Sequence, residues 1–202
     1  MRIVSLTRDL TNGVYYKNRA VVRFKTKTSG EVNESEFSCS SIHIGTHVDL
    51  PAHFSGEPYQ GVDSMVFRSD EVIITKYDEL YGNTSNDTLK VLLLDFGQED
   101  QRNSEVYPFE FSAINESDLL FILKNFTQLE IIGTTNPSIG DPTDSTINKT
   151  VHKKFLIDNS VLVLEDVLLP DVIEPYDYFV LSMIPTSDLE ARFCTVNLIM
   201  KS

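Results

Sequence analysis

The chain has 202 residues, 41% of them hydrophobic, and a formal net charge of −13. This length fits one large domain or two small ones, and the apolar content suffices for a sizeable core. The excess of carboxylates argues against nucleic acid or an anionic membrane as a partner, because phosphates would be repelled. No basic run offsets that charge, so we expect neither partner.

The sequence also bears on where the protein works. The N-terminal stretch Met1–Asp9 meets charged residues at once and has no long apolar segment, so no signal peptide is predicted. The apolar runs Val91–Leu94 and Leu119–Leu123 are too short to span a bilayer. The two cysteines, Cys39 and Cys194, are too few for a disulfide framework. We expect a cytoplasmic protein with free thiols.

Hydrophobic patterning predicts strands first and then strands alternating with helices, without internal repeats or a clear linker. This order predicts a single domain over residues 1–202, of the α/β class, with a mixed sheet. The predicted strands are Arg2–Leu6, Ala20–Thr26, Glu36–Gly45, Val72–Thr75, Val91–Leu94, Leu129–Gly133, Val161–Glu165, Tyr178–Ile184 and Arg192–Met200. The predicted loops are Lys27–Glu34 and Tyr81–Thr88, and the predicted helices are Asn115–Asn125 and Lys149–Ile157.

The first predicted helix carries its own start signal. Asn115 is a good N-cap, and acidic residues follow in the first turn, where the helix dipole favours anions. Five apolar residues are predicted to pack inward from this helix: Leu119, Leu120, Ile122, Leu123 and Phe126.

Histidines provide the strongest functional signal. Three of the four lie within eleven residues, at His43, His47 and His53, and Asp49 lies among them. Imidazole nitrogen and carboxylate oxygen are the usual ligands of zinc and also suit manganese. All four positions are separated by even numbers, so on an extended strand they would share one face. The pattern therefore predicts a strand-borne metal site.

Each candidate also has a structural explanation. The four residues could be surface polar groups on an edge strand, and Cys39, in phase with His43, could be a ligand or a buried structural thiol. His152 could face solvent, and Glu165 could cap a helix. Glu165, however, follows a buried apolar run, and active sites of parallel α/β sheets collect at the carboxyl ends of strands.

Segment His43–His53 resembles the H-x-G-T-H-x-D-x-P-x-H signature of the cyclase family of metal-dependent hydrolases, which includes bacterial kynurenine formamidase and isatin hydrolase. Weaker similarities follow in the same order along the chain. Ile3–Thr7 resembles the opening strand of the family, Ile131–Ser138 its G-x-D-x-x-S segment, and Leu164–Leu168 its V-E-N-L segment. His152 matches a later liganding histidine, and Arg192 falls where the family has P-x-R.

The resemblance implies a swivelling β/β/α fold that assembles as a homodimer or larger homo-oligomer. It implies that His43, His47 and Asp49 bind a divalent metal, Zn²⁺ or Mn²⁺, as one ion or two. His152 and Glu165 would complete the site, and His53 would be the catalytic histidine. No other cofactor is expected. The implied reaction is hydrolysis of a small amide, such as an N-formyl arylamine or a cyclic amide, with His53 as general acid and base.

The chain departs from the family pattern near the expected site. The family commonly has Asp at the position of Thr135 and Arg-Thr at the positions of Asp95 and Phe96, and its glycine-rich stretch is replaced by Ser187–Ala191. These departures leave the substrate open. They also motivate two alternatives: a non-catalytic protein that retains the metal cage, and a metal-dependent cyclase or lyase.

Overall fold

A computed structural model describes residues 1–8, 10, 14–15, 18–19, 22–29, 32–83, 86–186 and 190–200. The protein is a single-domain α/β fold built on one large mixed sheet, which confirms the predicted fold class. The strands in chain order are β1 (Arg2–Ser5), β2 (Val14–Tyr15), β3 (Asn18–Arg19), β4 (Val22–Ser29), β5 (Val32–Cys39), β6 (His47–Asp49), β7 (Ser64–Arg68), β8 (Val72–Lys76), β9 (Val91–Asp95), β10 (Ile131–Thr134), β11 (Leu162–Glu165), β12 (Tyr176–Met183) and β13 (Ala191–Met200). The α-helices are α1 (Ala52–Ser55), α2 (Glu116–Asn125) and α3 (Ser145–Lys153).

The main sheet runs in the order β7-β12-β13-β6-β11-β10-β9-β8, and β1 also pairs with β13. Strands β8 to β11 are parallel to one another, whereas β6, β7, β12 and β13 pair antiparallel. The two edge strands of this order, β7 and β8, are joined by the 3₁₀ turn Ser69–Glu71. Three residues span only about 10 Å, so the sheet curls until its edges nearly meet.

Alternate residues of the parallel strands pack on opposite faces of the sheet. In β9, Val91 and Leu93 belong to the core enclosed by the curled sheet, while Leu92 and Leu94 pack in the core beneath α2 and α3. Strands covered on both faces are continuously apolar, which is why this run predicted a central strand.

Helix α2 begins as predicted. The Asn115 side chain accepts hydrogen bonds from the backbone N–H groups of Ser117 and Asp118. In turn, the Asp118 carboxylate accepts a hydrogen bond from the backbone N–H of Asn115. Leu119 and Ile122 are buried, but Leu120 is exposed, so its predicted inward packing is wrong. The helix buries a narrower stripe than the run of apolar residues suggests.

Several predicted boundaries are also wrong. The predicted strand Glu36–Gly45 ends at Cys39, and the predicted loop Lys27–Glu34 is largely the paired ends of β4 and β5. The helix predicted at Lys149–Ile157 begins four residues earlier at Ser145 and continues as a π-helical turn, Lys154–Asp158. Strand β7 was not predicted. No helix in the described ranges has the length and hydropathy needed to cross a membrane.

Candidate metal centre

Strand β6 presents His47 and Asp49 to the same side, as expected for residues two apart on a strand. Both side chains are buried, and Val48 between them points into the core. The chain enters β6 through Gly45, whose φ of +56° lies in the left-handed region that favours glycine. A Cβ there would lie 2.6 Å from Leu10 Cδ2. The bend before β6 therefore strongly favours glycine.

His43 and His53 do not lie on that strand, so the prediction of one extended segment carrying all four residues is wrong. The chain bends between Cys39 and β6, and His43 lies within the bend. Pro51 starts α1, which carries His53 and ends at Gly56 with φ +71°. Both rings still approach the same point, because the His43 ring centroid lies 5.2 Å from that of His47 and 5.0 Å from that of His53.

His152 and Glu165 join these residues from the second half of the chain. Helix α3 is capped by Asp144 and carries His152 near its C-terminal end. Glu165 ends β11, at the carboxyl edge of the parallel strands, as predicted. The two side chains are buried, and His152 Nε2 lies 3.1 Å from Glu165 Oε1. The structure therefore brings together His43, His47, Asp49, His53, His152 and Glu165.

The separations between these groups fit a shared cation. Two ligands that each lie about 2.1 Å from a tetrahedral zinc ion are about 3.4 Å apart. His47 Nε2 lies 3.4 Å from Asp49 Oδ1 and 3.4 Å from Glu165 Oε2, and His152 Nε2 lies 3.6 Å from Asp49 Oδ2. His47 Nε2 and Asp49 Oδ1 are buried without a well-aligned hydrogen bond to any described residue, although His43 Nδ1 lies 2.9 Å from Asp49 Oδ1. Orphaned buried polar atoms that converge in this way are expected of a metal cage.

The second nitrogen of each ring fixes its orientation. His47 Nδ1 lies 2.9 Å from the Gly45 carbonyl oxygen, and His152 Nδ1 lies 2.8 Å from the Asn148 carbonyl oxygen. A carbonyl only accepts, so each Nδ1 carries the proton and each Nε2 is turned toward the carboxylates. The described residues form three candidate ligand groups: His43, His47 and Asp49; Asp49, His152 and Glu165; and, nearer the surface, His43, His53 and Glu190.

In the metal-free centre, the surrounding carboxylates favour the protonated form of the buried imidazoles. Burial alone would lower the pKa of His47, but the carboxylates of Asp49 and Glu165 outweigh it and raise that pKa well above its ordinary value. Burial of His152 is likewise outweighed by Glu165 and Asp49, which raise its pKa to about 9. Burial opposes ionisation of Asp49, yet His43 and His47 hold its pKa well below the ordinary value. A bound cation would replace imidazole protons.

The cluster opens into a cavity of about 180 Å³. His53 lies on its wall, about one third exposed, and burial lowers the pKa of this imidazole below its ordinary value. Phe54 packs edge-on against His53, with ring centroids 4.8 Å apart, and gives the centre an aromatic neighbour. The cavity is lined by Ser41, His43, Asp49, His53, Pro137, Ser138, Asn148, His152 and Glu165.

Two contributions to the site were not predicted. The backbone N–H of Ile139 donates to Glu165 Oε1 at 2.8 Å and so fixes that carboxylate. Glu190, at the start of β13, places its Oε1 3.2 Å from His43 Nε2. Neither residue has a ligand-type neighbour in the sequence, and only the strand register reveals Glu190. Cys39 is a half-buried free thiol, as Cys194 is a buried one, and Cys39 belongs to none of the candidate ligand groups among described residues.

Three of the departures from the family pattern, Asp95, Phe96 and Thr135, lie away from this cavity. Asp95 and Thr135 line a separate cavity of about 290 Å³, and Thr135 Oγ1 lies 3.4 Å from Asp95 Oδ1. Phe96 stacks on Tyr77 with ring centroids 4.4 Å apart. None of the three lines the metal cavity. Of the replaced glycine-rich stretch, residues 187–189 lie outside the described residues.

A buried ion network connects the two segments that carry the candidate metal ligands. Asp166, directly after Glu165, lies 2.9 Å from Arg8 Nε and 2.7 Å from Arg102 Nη1. Its backbone carbonyl accepts a hydrogen bond from the Thr46 hydroxyl, and that hydroxyl in turn accepts the N–H of Arg8. This ion network, Arg8, Arg102 and Asp166, therefore ties the segment before His47 to the segment after Glu165.

Comparison with solved structures identifies the fold. A predicted metal-dependent hydrolase from Bacillus stearothermophilus matches with a TM-score of 0.67 and 17% identity, over 98% of this chain and 97% of that one. Isatin hydrolase A from Ralstonia solanacearum matches with a TM-score of 0.69 and 14% identity, over 99% and 92%. Isatin hydrolase A from Labrenzia aggregata matches with a TM-score of 0.70 and 12% identity, over 99% and 94%.

No family model matches the sequence, and no curated protein matches it significantly. At these identities the structural likeness defines the fold alone, which this chain shares with the isatin hydrolases and the predicted metal-dependent hydrolase named above. The resemblance first indicated by the histidine motif is thus confirmed at the level of the fold.

Proposed function

We propose that this protein is a metal-dependent hydrolase of a small amide. The observation that carries the proposal is the buried convergence of His47, Asp49 and Glu165, whose ligand atoms are spaced as a shared divalent cation requires. Three imidazoles and two carboxylates form a donor set suited to Zn²⁺ or Mn²⁺, as one ion or two. The fold comparisons point the same way, because two of the matched proteins are described as predicted or potential metal-dependent hydrolases.

The protein groups divide into holding and proton-transferring roles. Asp49, His43, His47, His152 and Glu165 would hold the cation, which when bound makes water available as a nucleophile near neutral pH. His53 would accept a proton from that water and return it to the leaving nitrogen. Its lowered pKa favours the neutral ring that can accept a proton. The backbone N–H of Ile139 and the Asn148 carbonyl keep Glu165 and His152 in place.

The proposed substrate is a small amide, either a cyclic amide or an N-formyl arylamine such as N-formylkynurenine. The small volume of the cavity supports a compact substrate of this kind. Some matched proteins are isatin hydrolases, and isatin is a cyclic amide, so we place cyclic amides first.

Two alternatives have an observation in their favour. The departures at Asp95, Phe96 and Thr135 motivate a non-catalytic binding protein, but these residues lie outside the metal cavity and His53 is not needed for a cage alone. One matched structure is described as a potential metal-dependent hydrolase with cyclase activity, which keeps a ring-closing reaction as the second alternative.

The proposal is tested by elemental analysis of the purified protein, followed by assays with isatin and N-formylkynurenine before and after chelation. We expect a divalent metal in the untreated protein, hydrolysis that chelation removes, and recovery when the metal is returned. Bound metal without hydrolysis of any amide, lactam or ester in a broad panel would favour the binding protein. Purified protein with no affinity for Zn²⁺ or Mn²⁺ would refute the proposal altogether.

A further inference from the structure

Glu190 is a carboxylate of the site whose role the donor set does not explain. The register of β13 against β6 pairs Ala191 with Asp49, and the Leu50 N–H donates to the Glu190 carbonyl oxygen at 3.0 Å. These backbone contacts fix Glu190 at the rim of the cavity, where its side chain is about half exposed. The sheet itself, rather than a side-chain contact, brings this carboxylate to the centre.

The carboxylate of Glu190 faces the outer nitrogens of two histidines. Its Oε1 lies 3.2 Å from His43 Nε2, within hydrogen-bonding distance, and its Oε2 lies 3.8 Å from His53 Nδ1. On the inner side of the same ring, His43 Nδ1 lies 2.9 Å from Asp49 Oδ1. His43 is therefore held between an inner carboxylate at the metal centre and an outer carboxylate at the rim.

His43 differs in this respect from the other two histidines that would hold the cation. His47 and His152 direct Nε2 inward and donate Nδ1–H to a backbone carbonyl. His43 directs Nδ1 inward, and among the described residues its outer Nε2 faces the side chain of Glu190 and not a backbone carbonyl. A carboxylate behind a liganding imidazole fixes its tautomer and raises its basicity, and losing such a partner commonly weakens metal affinity about 10- to 100-fold.

We propose that Glu190 is a positioning residue of the metal centre: it accepts the Nε2 proton of His43, commits Nδ1 of that ring to the cation, and lies within reach of His53. This inference rests on the proposed function. It concerns a residue of the stretch that replaces the family's glycine-rich segment, so it describes a feature of this chain's own sequence.

The test compares Zn²⁺ dissociation constants, measured by competition with a chromogenic chelator, for the wild type, Glu190→Ala, Glu190→Gln and Glu174→Gln. We expect about 10- to 100-fold weaker binding in Glu190→Ala and partial recovery in Glu190→Gln, because the amide oxygen still accepts the Nε2 proton. Glu174, similarly exposed and paired with Arg2 on the surface, controls for the change in net charge, and its variant should bind as the wild type does.

Nitrogen-15 NMR of the zinc-loaded wild type adds a second readout. We expect the imidazole proton on Nε2 in His43 but on Nδ1 in His47 and His152. Wild-type affinity in Glu190→Ala, or the proton on Nδ1 of His43, would overturn the positioning role. A lost equivalent of metal, instead of a weakened affinity, would overturn it by making Glu190 a ligand. A wild type that binds no Zn²⁺ or Mn²⁺ would instead refute the proposed function.

Discussion

His53 differs from the other histidines of the cavity in the charges around its ring. Carboxylates contact His43, His47 and His152 and raise their pKa values. Burial dominates at His53, and the neighbouring His43 and His152 also oppose its protonation, so its pKa falls below the ordinary value. A ring that stays neutral near pH 7 can accept a proton, whereas its neighbours are suited to exchanging protons for a cation.

Replacing His53 separates these roles. We expect His53→Ala to lose about 10²- to 10⁴-fold in turnover number, the usual contribution of a general acid or base. The metal content should stay unchanged, because the carboxylates and the other imidazoles remain. Turnover of a confirmed amide substrate and elemental analysis of the same preparation provide both measurements. A variant with near wild-type turnover would show that another group transfers the proton.

At the scale of elements, the ion network couples the two segments that carry the ligands. Asp166 has a positive φ of +59°, a conformation that asparagine and aspartate tolerate better than most residues. The substitution Asp166→Asn therefore removes the charge without adding backbone strain. It leaves the buried guanidinium group of Arg102 facing a neutral amide, while Arg8 keeps its ion pair with Glu99.

We expect Asp166→Asn to lower the free energy of unfolding by about 3–5 kcal/mol, as for other broken buried ion pairs. Asp70→Asn is the matched control, because Asp70 pairs with Arg68 on the surface and should contribute less than about 1 kcal/mol. Urea denaturation followed by circular dichroism measures both. Equal unfolding midpoints for the two variants would show that the ion network does not stabilise the fold.

Elements whose signals are local were predicted well, and elements that depend on distant partners were not. The N-cap residue Asn115 and the acidic residues of the next turn predict the start of α2. The apolar run of β9 predicts a strand that is buried on both faces. Strand β7 was missed because it is a short edge strand in which Phe67 alone is buried, so its alternation of apolar and polar residues is too brief to be distinctive. The short helix α1 was not predicted because it has only four residues and follows directly on Pro51, a residue tolerated at the start of a helix but not within it.

The site shows the same division. The residue types and their order identified the cluster. The prediction that His43 and His53 lie on the same strand as His47 and Asp49 was wrong. Both reach the centre through a bend and a helix that bring them to the same place. Glu190 could not be predicted, because its contact with His43 depends on the register of β6 against β13.

At the scale of the whole molecule, the buried cluster makes the stability of the metal-free protein depend on pH. The raised pKa of His152 means that its contribution is complete below about pH 6.5 and is lost as the pH rises through about 9. The lowered pKa values of Asp49 and Glu165 mean that these carboxylates stabilise the fold at pH values above their ordinary pKa, which is about 4. This stabilisation is lost as the pH falls further. Metal-free protein should be most stable between about pH 4.5 and 6.5.

We therefore expect the melting temperature of chelator-treated protein to fall between pH 6.5 and 9. His152→Gln should flatten this decline, because it removes the titrating ring. Protein loaded with zinc should not follow the same curve, since metal binding replaces the protons and strengthens as the pH rises. Differential scanning calorimetry of the three samples measures the effect. A melting temperature of metal-free wild type that rises throughout this interval would contradict it.

The expected homodimer or larger assembly stays a prediction.

The position of β13 constrains when the centre can form. It is the last described strand, yet it lies between β12 and β6 within the sheet and supplies Glu190 beside His43. A polypeptide leaving the ribosome exposes the first histidines long before their final neighbour is made. Nascent chains should therefore hold metal weakly until β13 docks, and loading would come at the end of folding.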